Sequence, residues 1–231
     1  MVDFAVVARN VSYRYPDGSL GVENVDLAIA KGERVAIVGE NGSGKSTLIF
    51  LLSGLLKPSK GEVKVLGFSN KEIEEIRRRV GVIFQNPDDF LFNPTVRDEL
   101  LYVPRQLKMS EEEMERIIRD FSEIFGLKDV LHKPPFRLSG GEKKKVEIAS
   151  VLAYKPEIIF LDEPTANVDA KTRKVIKEII RGYEGTVVVA THEVDVAKLC
   201  ERVLVMKKGR ILADSSFSSI DKRILEEAGV I

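Results

Sequence analysis

The sequence predicts an α/β fold with a mostly parallel sheet, an antiparallel β flank and an inserted helical subdomain. Three observations carry this expectation. Ile158–Leu161, Thr186–Ala190 and Arg202–Met206 are short β-rich apolar runs separated by helical stretches, the pattern of parallel strands buried on both faces. Residues 34–38 form another such run, followed at once by a glycine-rich loop and an apolar helix-like stretch, 47–52. Between about 88 and 155 the chain changes to helical periodicity, so the helices form an insertion rather than alternating with strands.

The remaining elements follow in order. Residues 3–8 and 22–30 read as strands, and Tyr15-Pro-Asp-Gly18 supplies turn chemistry between them. A short strand is expected at 62–66, a charged helix at 70–79 and a buried strand at 80–84. Ser110 and Glu113 have capping-box spacing, and Met114, Ile117, Ile118, Phe121 and Phe125 then recur at helical intervals. Pro134-Pro135 breaks that block. The 231 residues suit one domain, 1–231, with a core of 1–87 and 156–231 and a helical subdomain at about 88–155.

Bulk chemistry excludes several classes. Lys and Arg number 36 and so do Asp and Glu, so no net field argues for nucleic acid as a partner. One cysteine, Cys200, cannot form an internal disulfide and rules out most structural zinc sites. The N-terminus lacks a basic segment followed by an apolar core, so no signal peptide is expected. No apolar run approaches the ~20 residues that span a bilayer.

The strongest local signal is Gly39-Glu40-Asn41-Gly42-Ser43-Gly44-Lys45-Ser46-Thr47, which contains G-x-x-x-x-G-K-[ST] between a strand and a helix. Glycines at 39, 42 and 44 let the backbone turn its N–H groups inward on phosphate oxygens. The helix opening near Lys45 adds unpaired amides and the positive end of its dipole. Lys45 is then placed for β- and γ-phosphates and the Ser46 hydroxyl for Mg²⁺. A P-loop nucleotide-binding core is the expected result.

Asp162 and Glu163 end the 158–161 strand at its carboxyl end, where α/β sheets bind ligands. Asp162 is a candidate Mg²⁺ ligand and Glu163 a candidate general base toward water. Leu138-Ser139-Gly140-Gly141-Glu142 carries a capping box and two glycines at a helix start, leaving amides open to an anion. A second anion-binding helix end makes sense if it closes over a nucleotide held by another molecule. Lys143-Lys144-Lys145 reads as a solvated helix face.

With these motifs in place the chain resembles the ATP-binding cassette ATPases of ABC transporters over essentially its full length. In the resemblance Gly39–Thr47 matches the Walker A loop, Ile158–Glu163 the Walker B strand and Leu138–Glu142 the signature motif. Gln85 matches the glutamine that senses Mg²⁺ and the γ-phosphate. Asn167-Val168-Asp169 falls at the D-loop, with Asp169 at the nucleotide, and His192 at the switch histidine. Tyr15 is the aromatic expected to stack on adenine, with Tyr13 second. Glu142 stands where glutamine is commoner, and either caps the helix. The resemblance implies ATP and Mg²⁺, ATP hydrolysis, and a head-to-tail pair with an identical or related cassette.

A finer resemblance lies in Phe84-Gln-Asn-Pro-Asp-Asp-Phe-Leu-Phe92, Pro94-Thr-Val96 and Asp98-Glu99, together with Tyr13–Gly18. It is to the cassette subunits of energy-coupling factor importers for vitamins or cobalt and nickel ions. It implies integral membrane transporter subunits, one of them substrate-binding, and a peripheral place on the cytoplasmic side of the cell membrane. Asp88 and Asp89 with Phe90, Leu91 and Phe92 then offer acidic and apolar groups to a coupling helix. A non-membrane ABC-type ATPase and the motor of another transporter class stay open as alternatives.

Overall fold

The structure, a computed structural model, describes residues 3–231, which divide into two compact units. The first comprises residues up to 82 with 157–164 and 177–231; the second comprises 83–156 with 165–176. The contacts thus group 165–176 with the helical insertion, which the sequence-based boundary at 88–155 did not include.

The first unit holds two sheets. Strands β1 (Phe4–Arg14) and β2 (Leu20–Ala30) pair antiparallel. After β3 (Arg34–Val38) and α1 (Lys45–Leu52) come β4 (Lys60–Val65) and β5 (Phe68–Ser69), which complete a four-stranded sheet of order β2-β1-β4-β5. The short α2 (Ile73–Arg77) leads to β6 (Val80–Ile83). With β7 (Ile158–Asp162), β8 (Thr186–Thr191), β9 (Arg202–Lys207) and β10 (Arg210–Ser215), the second sheet has order β10-β9-β3-β8-β7-β6. Strands β9, β3, β8 and β7 run parallel; β10 is an antiparallel edge.

Burial explains the composition of the central strands. Every residue of β7 and β8 is buried, and in β3 only Arg34 is not. Such strands cannot alternate polar and apolar residues, because both faces are covered. Leu48, Ile49, Leu51 and Leu52 of α1 share one core with Ile37, Phe160, Val188 and Leu204. Each such side chain contributes about 1.5–3 kcal/mol on removal from water.

Two expectations in this unit change. The first strand runs to Arg14 rather than residue 8, because Asn10 adopts a left-handed φ of 49° and the register slips between Ala8 and Val11. The Asn10 amide donates to Asp26 Oδ1 at 2.9 Å, so the bulge leaves no lost donor. The helix expected over 70–79 begins as a 3₁₀ turn at 70–72 and ends at Arg77.

The second unit is built on α3 (Val96–Gln106), α4 (Glu111–Ile124) and α5 (Gly140–Leu152). Helix α4 opens on the Ser110–Glu113 capping box, as its sequence predicts. Helix α3 was not foreseen. Thr95 caps it, accepting from the Asp98 amide at 3.1 Å, and it tolerates Pro104 near its end. Helix α5 contains the largest departure: Lys144 is 1% exposed, so the three lysines at 143–145 are not a solvated face. The helix α6 (Ala170–Gly182) begins after Asp169, and α7 (Val194–Ala197) and α8 (Lys222–Glu227) complete the chain.

Phe160 has no exposed surface and lies in the central strand layer. Phe160→Ala is expected to cost about 3–5 kcal/mol, measured by urea denaturation; a loss under about 1 kcal/mol would contradict this core placement.

Candidate functional site

The first unit gathers its chemical groups by strand register. Val38 of β3 pairs with Thr191 of β8, and Asp162 of β7 pairs with Ala190. Because these strands run parallel, their carboxyl ends share one edge of the sheet. The glycine-rich loop leaves β3 there, Asp162 and Glu163 leave β7, and His192 leaves β8. This is the edge at which open α/β sheets take ligands.

The loop is tightly fitted. Gly44 has φ 103°, and a Cβ there would stand 2.4 Å from the Gly21 carbonyl oxygen, so only glycine fits. The Lys45 side chain is buried at 5% exposure and turns back into the loop. Its Nζ donates to the carbonyl oxygens of Gly39 at 2.9 Å and Glu40 at 3.2 Å. The Ser43 hydroxyl is buried with no hydrogen-bond partner among the described residues. Ser46 and Thr47 lie in the first turn of α1, whose leading amides have no intrahelical acceptor. Tyr15 shares a hydrogen bond of 2.7 Å with the Thr47 hydroxyl and meets Tyr13 edge-on at 5.1 Å, while staying 37% exposed.

Asp162 and Glu163 are buried, at 3% and 5% exposure. Glu163 adopts φ 42°, an uncommon conformation for a residue with a Cβ, fixed by its amide donating to the Ala190 carbonyl at 2.9 Å. One carboxylate oxygen, Oε2, lies 2.9 Å from His192 Nδ1. The other, Oε1, is 3.5 Å from Lys45 Nζ and has no hydrogen-bond partner among the described residues. A buried carboxylate with one oxygen held and one open, beside a phosphate-binding type of loop, can accept a proton from a bound molecule. Tyr15, Gly39–Thr47, Asp162, Glu163 and His192 therefore belong to one unit.

Gln85, Ser139, Gly140, Gly141 and Asp169 belong to the second unit. Gln85 is exposed on the segment after β6. Ser139 caps α5 through the predicted box: its hydroxyl accepts from the Glu142 amide at 3.3 Å and donates to the Glu142 carboxylate at 2.7 Å. The Ser139 hydroxyl, with its amide, holds the Glu142 carboxyl below its ordinary value. Gly141 lies close to Asp169, since a Cβ there would stand 2.8 Å from Asp169 Oδ2 and the carboxylate would have to shift. Asp169 in turn accepts from the Thr172 amide at 2.8 Å and hydroxyl at 3.0 Å, which lowers its carboxyl pKa, the amide chiefly.

Sequence reasoning missed two carriers of this arrangement. Lys144 and Glu147 form a buried ion pair of 2.9 Å inside α5, at 1% and 0% exposure. Their spacing with Ile148 and Val151 was the available signal, because 144, 147, 148 and 151 fall on one helix face. The acidic residues of the 84–99 segment and its neighbours are mostly engaged within the chain. Glu99 is buried and accepts from the Phe92 and Asn93 amides at 2.5 and 2.6 Å. Asp88 pairs with Lys143 at 2.6 Å, and Asp98 with Arg105 at 3.0 Å. Phe92 and Tyr102, in edge contact at 4.9 Å, remain 66% and 41% exposed.

Comparison with known proteins places these features in one family. The profile described as ABC transporter matches residues 22–166. A protein of Archaeoglobus fulgidus, assigned provisionally as an ABC transporter ATP-binding protein, is 59% identical over 98% of this chain and 97% of its own length. The energy-coupling factor transporter ATP-binding protein EcfA of Methanothermobacter thermautotrophicus is 42% identical over 90% of this chain and 70% of its own. Among solved structures, cbiO1 of Clostridium perfringens, part of the ABC transporter complex cbiONQ, aligns with a TM-score of 0.79 at 31% identity, covering 99% of this chain and 95% of its own. The ATP-binding cassette MJ0796, a dimer in a post-hydrolysis state bound to ADP and Pi, aligns at 0.81 and 33% identity, covering 93% of this chain and all of its own. The chain belongs to the ABC transporter family and is an ATP-binding, ATP-hydrolysing motor subunit within it.

Proposed function

We propose that this motor subunit drives an energy-coupling factor type importer for a vitamin or a transition-metal ion. The observation that carries the chemical part is the buried Glu163 carboxylate, held by His192 on one oxygen and open on the other, beside Lys45. The importer assignment is supported by the 84–99 segment and by the energy-coupling factor and cbiONQ relatives.

Phosphate oxygens of ATP take the place of the Gly39 and Glu40 carbonyls at the Lys45 ammonium, while the first amides of α1 receive the remaining charge. Tyr15 stacks on the adenine, tethered by Thr47. Asp162 and Ser46 would hold Mg²⁺, oxygen donors suited to an ion that usually keeps waters and binds substrate phosphates with one or two carboxylates, and the family resemblance assigns Gln85 to the same ion. Its chemistry when bound is to neutralise charge on the phosphates. Glu163 accepts a proton from the attacking water through Oε1 as the water approaches the γ-phosphorus in line, and His192 contacts the γ-phosphate.

Ser139, Gly140, Gly141 and Asp169 act on the nucleotide of a second, identical or related cassette. Two ATP molecules therefore join two chains head to tail, and loss of phosphate removes contacts made only in the closed pair. The exposed Phe92 and Tyr102 face membrane-embedded transporter subunits, one of which selects the solute. Among the described residues no helix is long and apolar enough to cross a membrane. The chain thus sits peripherally on the cytoplasmic side through those subunits.

Three measurements test this reading. Glu163→Gln should lower ATP turnover by about 10²-fold or more, as loss of a general base does, with nucleotide affinity preserved in a fluorescent-nucleotide titration; normal turnover would remove Glu163 from the role. Lys45→Ala should weaken ATP binding itself, and unchanged affinity contradicts its phosphate contact. Phe92→Asp should move the chain from the membrane fraction to the supernatant while its melting temperature holds. Full membrane retention would take Phe92 out of the docking surface.

A further inference from the structure

We propose that Lys144 and Glu147 are positioning residues for Gln85, fixing its backbone to the same helix whose first turn carries Ser139, Gly140 and Gly141. The inference rests on the reading of Gln85 as a group that acts on the Mg·ATP of its own chain. It assigns work to a buried charged pair that no step above uses.

The contacts form a closed set. Lys144 Nζ donates to three acceptors: Glu147 Oε2 at 2.9 Å, the Gln85 carbonyl oxygen at 3.3 Å and the Phe84 carbonyl oxygen at short range. An ammonium has three protons, so the side chain is fully engaged. Glu147 Oε1 accepts from the Phe84 amide at 2.6 Å. Both backbone groups of Phe84 are therefore held by one turn of α5, and the next carbonyl, that of Gln85, is held as well. The lysine and glutamate are 1% and 0% exposed, and burial pushes the Glu147 carboxyl up against the opposing pull of Lys144.

Burying such a pair is costly, and apolar residues of similar size pack as well or better. Stability alone therefore gives a weak reason for it. Its acceptors are a better guide, since the pair spends its hydrogen bonds on the segment immediately around Gln85. A second tie lies one residue earlier on the helix, where Lys143 pairs with Asp88 at 2.6 Å. Between these ties lies a cavity of about 280 Å³, lined by Gln85, Asp88, Gly140, Lys143, Lys144 and Asn167. Gln85 and the glycine-bearing helix start consequently move together.

The test is a double-mutant cycle on the full chain. Lys144→Met leaves Glu147 as a lone buried charge and can fail to fold, so the working variant is Lys144→Met with Glu147→Gln. Its glutamine still accepts from the Phe84 amide, but its methionine cannot donate to the two carbonyls. ATP turnover, nucleotide affinity and melting temperature are measured in this variant, in Gln85→Ala, in the combination and in the unaltered chain.

The expected result is a fall in kcat of about 10-fold or more with nucleotide affinity within about 2-fold, and no further fall when Gln85→Ala is already present, because neighbours acting through one group are not additive. Losses that multiply, or an unchanged kcat in the clamp variant, overturn the proposal. If Gln85→Ala itself turns over normally, the role of Gln85 fails and the proposal fails with it. If Gln85→Ala is slow but the clamp variant is not, only the proposal fails. Lys144→Arg, which keeps the donors, should restore part of the rate in the Glu147 background.

Discussion

The parallel register of β3, β8 and β7 is the constraint on which the rest of the molecule depends. Because Val38 stands opposite Thr191 and Asp162 opposite Ala190, three chain segments leave the sheet at one edge. Each then delivers a different chemistry: loop amides and an ammonium from 39–47, two carboxylates from 162–163, an imidazole from 192. The strands are buried along almost their whole length, so packing on both faces holds this register.

The edge is held by close local constraints. Glu163 occupies left-handed backbone space, Gly44 admits no side chain, and Lys45 is folded back on the carbonyls of its own loop. Each is fixed by a neighbour: Glu163 by the Ala190 carbonyl, Gly44 by the Gly21 backbone, Lys45 by the Gly39 and Glu40 carbonyls. The second unit uses a different device. Its helix start is held by the Ser139–Glu142 capping box, and its glutamine-bearing segment is held by a buried ion pair.

Much of this was legible in the sequence. The phosphate loop, the 158–163 strand with its terminal carboxylates and the Ser139–Glu142 box are local patterns, in which spacing alone fixes the geometry. Features set by distant packing were not. The first strand continues past Asn10 because Asp26, sixteen residues away, completes the bulge. Lys144 looked solvated because its neighbours in sequence are lysines, although its neighbours on the helix face are Glu147, Ile148 and Val151. Asp88 reads as an acidic group free for docking, yet it pairs with Lys143 of α5. In each case composition was read along the chain, while the structure sorted residues by face.

The central claim is that this ATPase works on a membrane partner. Its most direct test is co-purification of the chain from its native membranes in gentle detergent, with mass-spectrometric identification of what accompanies it. The account predicts a second cassette, or a second copy, together with integral membrane subunits that include one solute-binding protein. Recovery wholly in the supernatant, alone or with nucleic-acid machinery, would contradict it while leaving the ATP chemistry of the Lys45–Glu163 edge in place.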